Sequence, residues 1–322
     1  METSIQIING TTLSDLCDYS FGDHMGAASI PRPRHGFMKY ANDTNTEFLD
    51  KCKEFEGKIM TLFIDNIRLY NRPVWANEGN DANWIYHLLS TNDLLALCTT
   101  LPKNKFVIFC SHEDTPIDEH IKIPDNVLGI HAVNAAYFNE KIHPFPYGLQ
   151  REMENDNRLQ IMKKTVDKDE HQEPTKLLYI NCGLGAERNN KERAYLPHFE
   201  QYDWATCRFE KDSKFFPYSK YHDFLVELKD HKFMICPQGH GMDCHRNWES
   251  LYLRRVPVMK DHPYFRKLME GFPVLFVKDW PEITEELLKD NEHLYQQALK
   301  MSLKKLDLET IFNAIKLSYE NE

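Results

Sequence analysis

The chain has 322 residues, 42% of them hydrophobic and 27% charged, with 39 Lys plus Arg against 49 Asp plus Glu and a formal net charge of −10. That length exceeds the usual reach of one hydrophobic core and predicts two domains packed across a cleft, with one large α/β domain as the alternative, while the ordinary hydrophobic share excludes a disordered or fibrous chain. The acidic balance repels phosphate backbones, so nucleic acid is not expected as the main partner.

The opening METSIQIINGTTLSDLCDYS has no basic region followed by a long apolar run, and no stretch has the length needed to cross a membrane. A soluble, cytoplasmic protein is expected. The eight cysteines (Cys17, Cys52, Cys98, Cys110, Cys182, Cys207, Cys236 and Cys244) lack the short paired spacing of structural zinc and read as reduced thiols.

Along the chain, the first forty residues carry Gly22, Gly26, Pro31, Pro33 and Gly36, which predicts an irregular segment. Buried strands are predicted at Lys58 to Ile64, Phe106 to Cys110 and Val127 to Val133, with a helical pattern from Asn83 to Leu97. Between Gln150 and Thr175 the composition turns charged and poor in apolar residues, which places a domain boundary there. Strands then recur at Lys176 to Asn181, Trp204 to Cys207, Lys232 to Cys236, Val256 to Met259 and Val274 to Val277. A helical tail runs from Pro281 to Tyr319. Strand and helix alternate in both halves, the pattern of parallel, doubly wound sheets.

The segment richest in chemistry is HKFMICPQGHGMDCHRNWESLYLRRVPVM, from His231 to Met259. It reads as a strand, a Gly-rich loop, an amphipathic helix and a second strand. Ligands of open parallel sheets bind beyond the carboxyl ends of the strands, where Gly239 and Gly241 let the backbone approach a bound group closely. Asp243 is a good helix N-cap, and the first-turn amides favour an anion such as a diphosphate. Steps of three put Asp243, Arg246 and Glu249 on one helix face; a guanidinium grips phosphate oxygens and a carboxylate accepts from ribose hydroxyls. A capped surface helix with Arg246 merely paired to a carboxylate fits the same spacing. Trp248, Leu251 and Tyr252 read as the core side of this helix, and His240 and His245 as solvated or structural more often than catalytic.

This segment resembles the donor-site signature of exostosin-like glycosyltransferases and their bacterial and viral relatives: a Pro (Pro237), a Gly-x-Gly, Asp243, His245-Arg246, Trp248-Glu249 and a closing Val-Pro-Val. The resemblance continues into FPVLFVKDWPEITEEL. It implies a GT-B fold, two Rossmann-like doubly wound domains facing each other across a cleft. The acceptor-binding domain then spans 1–155 and the donor-binding domain 156–322, with the last helix crossing back. The implied activity is sugar transfer from a UDP-sugar, or alternatively a GDP-sugar, to a hydroxyl of a glycan or glycoconjugate.

LLYINCGLGAERNNKERAYLPHF resembles the strand that opens the family's nucleotide-binding domain. This adds Asn181 and a diphosphate-binding Arg193, with Arg188 as its competitor, to a donor set of Pro237, Gly239, Gly241, Asp243, His245, Arg246 and Glu249. In the amino-terminal half, IFCSHEDTPID and IHAVNAAYFNEKIHPFPYGLQ are similar more loosely. They imply Asp114 or His112 as the base and Asn134 and Tyr147 as acceptor-cleft residues. Arg254 and Arg255 depart from the family's small residue and Gly before Val256-Pro257, and are expected to face solvent.

Arg246, Arg193 and the helix N-terminus can carry leaving-group charge without a metal, and a base would accompany inversion, which is expected ahead of retention. The one strict Asp-x-Asp, Asp167-Lys168-Asp169, sits in the charged linker, a poor place to preorganise a cation, so neither a metal nor another cofactor is expected. Two rivals remain. A non-catalytic nucleotide- or carbohydrate-binding protein with the same fold would keep Asp243, Arg246 and Glu249. A nicotinamide-dependent oxidoreductase would need a Gly-x-Gly-x-x-Gly after a strand, and the third Gly is missing after Cys236.

Overall fold

The computed structural model describes residues 5–21, 46–65, 91–111, 121–149, 157–167, 173–184, 190–210, 220–239 and 241–321. The chain divides into two compact units: Gly10–Phe145 with Phe312–Glu322, and Pro146–Ile311 with Met1–Asn9. The division at 145/146 falls ten residues ahead of the position given by the charged linker.

The first unit holds a parallel five-stranded sheet in simple sequential order: β1 (Tyr19–Phe21), β2 (Ile59–Asp65), β3 (Lys105–Ser111), β4 (Val127–Ala132) and β5 (Ile142–Pro144). Its helices are α1 (Gly10–Leu16), α2 (Thr46–Glu54) and α3 (Thr91–Thr99). Phe106, Val107, Ile108, Phe109 and Cys110 are all fully buried, because both faces of a parallel sheet are covered. Three predicted strands correspond to β2, β3 and β4. The predicted helix from Asn83 overlaps α3, with 83–90 outside the described residues.

Two elements correct the irregular reading of the first forty residues. Helix α1 buries Leu13, and β1 pairs with β2 because the Asp18 carboxylate accepts from the Thr61 amide at 2.8 Å and its hydroxyl at 2.7 Å. Tyr19 then packs on Phe48 with ring centroids 5.0 Å apart. A three-residue strand interrupted by Ser20 presents no apolar run in the sequence. Gly22, Gly26, Pro31, Pro33 and Gly36 lie outside the described residues.

The second unit holds β6 (Lys176–Gly183), β7 (Ala205–Glu210), β8 (His231–Ile235), β9 (Val256–Lys260) and β10 (Leu275–Val277), all parallel in the order β10-β9-β8-β6-β7. Around it run α4 (Arg158–Asp167), α5 (Asn190–Arg193), α6 (Tyr221–Lys229), α7 (His245–Tyr252), α8 (Pro263–Leu268), α9 (Glu285–Asp290) and α10 (Glu292–Lys300). One sheet face joins Leu178, Ile180, Phe233, Ile235, Val256 and Val258 to Leu196, Phe199, Leu288, Tyr295 and Ala298 in a single apolar cluster. The chain leaves β6 for β7 on one side and then builds β8, β9 and β10 on the other. The order therefore reverses between β6 and β8, and a reversal opens a crevice at the carboxyl ends of those two strands. Helix α11 (Leu308–Glu320) closes the chain, and no described helix is long and apolar enough to cross a membrane.

Arg254 and Arg255 do not face solvent as expected. Arg254 adopts φ 56°, the left-handed region, and donates to the carbonyls of Leu299 at 2.7 Å and Met301 at 3.0 Å, satisfying the end of α10. Arg255 is 2% exposed and donates to the Lys229 carbonyl at 2.6 Å, doing the same for α6. Helix ends hidden from water need donors, and these guanidinium groups supply them.

The amino-terminal residues belong to this unit through main-chain pairing. The Leu149 amide donates to the Ile8 carbonyl at 2.8 Å, and the Ile8 amide donates to the Tyr252 hydroxyl at 2.7 Å. Gly148 permits this approach: its φ is +68°, and a Cβ there would lie 2.1 Å from the Ile8 carbonyl oxygen. Gly148→Ala combines left-handed strain with a main-chain clash and should cost at least about 2 kcal/mol. Urea denaturation checks this; a midpoint equal to that of the native protein would contradict the packing of Ile7–Asn9.

Candidate functional site

The β6 strand is half apolar and half polar. Leu178 and Ile180 face the apolar cluster, so the period of two turns Tyr179 and Asn181 to the opposite face. Asn181 lies near the carboxyl end of the strand and is 4% exposed. It is met there by Arg246 from α7, which donates to the Asn181 carbonyl and side-chain oxygen, each at 3.4 Å. The Arg246 guanidinium lies 4.1 Å from the Phe224 ring centroid and pairs with Glu249 at 2.5 Å. Its side chain is 17% exposed and that of Glu249 3%. Glu249 also bonds Tyr221, and burial first, then that carboxylate, raises the Tyr221 hydroxyl well above its ordinary pKa.

Arg193 stands at the same crevice. Its Nη1 donates to the Gly183 carbonyl at 2.7 Å, and its Nε and Nη2 donate to the Gln238 carbonyl at 3.1 and 2.8 Å. It therefore bridges the ends of β6 and β8 while three of its five N–H donors are used. Arg193 and Arg246 both act electrostatically on the thiols of Cys182 and Cys244; burial raises both thiols, Cys244 to about 12, and the two guanidinium groups pull them back. Positive charge thus converges on the switch point from α5 and α7.

Asp243 is placed differently from the N-cap reading. Cys244 occupies the N-cap, without a side-chain capping bond, and Asp243 precedes it. The Asp243 carboxylate accepts from the Tyr147 amide at 2.8 Å, the Asn247 amide group at 2.7 Å and the Trp248 indole at 3.0 Å. It is 2% exposed, so it ties the loop, the helix and the Tyr147 segment together, and none of these bonds reaches the Arg246–Glu249 pair. His245 Nδ1 donates to the Gly148 carbonyl at 2.8 Å, so this ring nitrogen carries the proton, and the ring stacks on Tyr147 at 4.5 Å. Burial pushes this imidazole down to about 4.

Of the remaining candidates, Pro237 and Gly241 are buried and Gly239 half-buried in the loop after β8. Asn134 is fully buried with φ 53° just after β4, in the other unit from Tyr147. Asp114, His112, Arg188 and His240 lie outside the described residues, as do residues 168–172 beyond Asp167. Trp248, Leu251 and Tyr252 are buried, as their spacing predicts. Sequence reasoning missed Tyr179, Tyr221, Phe224 and Gln238. The alternation that puts Tyr179 beside Asn181 was available, but the distant α6 residues gave no cue. All eight cysteines are free thiols.

No family model matches the chain, and no curated protein matches it. Among solved structures it is similar to one described as the crystal structure of an alpha1,3-fucosyltransferase. The two are 13% identical with a TM-score of 0.35, and the match covers 64% of this chain and 74% of that one.

Asp243 generates a pH prediction. Burial raises its carboxyl to about 6 against the opposing pull of the donors from Tyr147, Asn247, Trp248 and Cys244. The unfolded value is about 3.9, so between about pH 4 and 6 the folded chain holds a proton that the unfolded chain has released. The contribution of this group is full below about pH 4 and falls as pH rises toward 6. Compared with Asp243→Asn, the native protein should lose stability across that window in urea titrations; parallel curves would remove the assignment.

Proposed function

We propose that the protein is a metal-independent glycosyltransferase of the GT-B type, taking its sugar from a nucleoside diphosphate donor held at the β6/β8 crevice. One observation carries the reading: Arg193 and Arg246, from different helices, are both anchored on main-chain carbonyls at the carboxyl ends of strands flanking the order reversal. Arg193, locked by neutral carbonyls, keeps its full charge and pays little to reorganise when an anion arrives, whereas Arg246 is held in place by Glu249 as well. The uncapped start of α7 adds main-chain amides to the same place.

In this reading the bond between the anomeric carbon and the diphosphate oxygen breaks, the electron pair passes to the diphosphate, and Arg193 and Arg246 stabilise the charge that develops. Glu249 balances Arg246 before the donor binds and accepts from the ribose hydroxyls. The acceptor hydroxyl attacks the anomeric carbon and gives its proton to a base, for which Asp114 and His112 are the candidates from sequence. UDP-linked donors are favoured and GDP-linked donors are the alternative; the acceptor is a glycan or glycoconjugate.

Arg246→Ala would strand the buried Glu249 carboxylate at a cost of about 3–5 kcal/mol, so it confuses binding with folding. Arg193→Ala and Arg246→Lys are the cleaner variants, since the first leaves only carbonyls behind and the second keeps a cation beside Glu249. Each should weaken UDP or GDP binding at least about tenfold without magnesium, read by calorimetry. Unchanged affinity in both variants would remove the donor site; tight binding with no sugar transfer to any acceptor in a glycan panel would favour a binding protein instead.

A further inference from the structure

The polar face of β6 continues away from the crevice as a directed chain of hydrogen bonds. Arg208 on β7 donates to Glu227 Oε1 on α6 at 2.7 Å, and the Tyr179 hydroxyl reaches Glu227 Oε2 at 2.7 Å. The Asn181 side-chain amide donates to the Tyr179 oxygen at 3.0 Å, and the Asn181 oxygen then receives Arg246 at 3.4 Å. Tyr179 is fully buried and stacks on His231 at 4.8 Å, which holds its ring in place.

The direction of this chain is fixed at its outer end. Burial works to raise the Glu227 carboxyl, but the bonds from Arg208 and Tyr179 outweigh it and hold the group below its usual range. An ionised carboxylate only accepts, so the Tyr179 hydroxyl must donate to it and can only accept from Asn181. Asn181 must then turn its NH2 toward Tyr179 and its oxygen toward Arg246. The opposite amide rotamer would set a donor against the guanidinium.

We propose that Tyr179 and Glu227 are positioning residues for Arg246, orienting the guanidinium through the side-chain amide of Asn181. The inference rests on the donor-site reading only for its consequence in binding; the orientation itself is a property of the chain alone. Neither residue contacts the proposed donor. The Asn181–Tyr179 bond at the centre of the relay is buried, where it is electrostatically stronger than at the surface.

The test has two arms. In the first, 15N-arginine-labelled protein gives the side-chain Nε–H resonance of Arg246, assigned by its loss in Arg246→Lys, and its order parameter is measured in the native protein, Tyr179→Phe and Glu227→Ala. The proposal expects a clear drop in both variants; because Glu227 is 36% exposed, its variant keeps the test open if Tyr179→Phe fails to fold. An unchanged order parameter in the folded variants overturns the positioning role. In the second arm, UDP and GDP are titrated into the native protein, Tyr179→Phe, Arg246→Lys and the double variant. Tyr179→Phe should weaken binding about three- to tenfold in the native background and not at all beside Arg246→Lys, a coupling that general loosening would not produce. Equal losses in both backgrounds count against the relay. Failure of the native protein to bind either nucleotide overturns the donor-site reading, while the resonance of Arg246 still decides the orientation.

Discussion

The ion pair of Arg246 and Glu249 is the constraint around which the second unit is arranged. Both groups are largely removed from water, and two charges taken out of water cost several kcal/mol each unless their hydrogen bonds are replaced. The replacements come from three directions: the end of β6 through Asn181, the ring of Phe224 on α6, and the hydroxyl of Tyr221. Phe224 and Tyr221 are buried residues that also stack on each other, so the pair is held by side chains the unit packs in any case. A hydrophobic pair of similar volume would satisfy stability alone, so retaining a guanidinium here points to a use for its charge.

The loop that faces this pair is held by a second buried carboxylate. Asp243 gathers donors from two separated stretches of chain, Tyr147 and the adjacent Asn247 and Trp248. A spacing argument sees a helix cap in such a residue because Asp commonly caps helices; the tertiary contacts here turn it the other way, toward the segment that precedes α4. The positions of the Gly-rich loop and of the first turn of α7 therefore depend on residues nearly a hundred positions earlier. Arg193 adds the remaining tie, joining the loops after β6 and β8 across the order reversal.

Much of this was legible in the sequence where the signal was local. Buried parallel strands announce themselves as apolar runs, and eight of the ten strands among the described residues coincide with runs such as Phe106 to Cys110 and Lys232 to Cys236. The exceptions, Tyr19–Phe21 and Ile142–Pro144, are three residues long and interrupted by Ser20 and His143, so neither forms an apolar run. Arg246 was found because it follows a strand end and a Gly-rich loop, which mark the ligand side of such sheets, and Arg193 through the family resemblance, with Arg188 as its competitor. The partners of those arginines were not found: Tyr179, Phe224 and Gln238 reach the site only through strand pairing and helix packing. Arg254 and Arg255, which depart from the family's small residue and Gly, were read as solvent-facing, yet they close the carbonyls of α10 and α6.

The central claim is that a diphosphate belongs between the carboxyl ends of β6 and β8, gripped by Arg193 and Arg246. A crystal structure of the chain grown with saturating UDP or GDP tests it most directly. The account predicts phosphate oxygens within hydrogen-bond distance of both guanidinium groups and next to the loop running from Cys236 to Gly239. A nucleotide bound elsewhere on the chain, or a diphosphate that touches neither arginine, would contradict it.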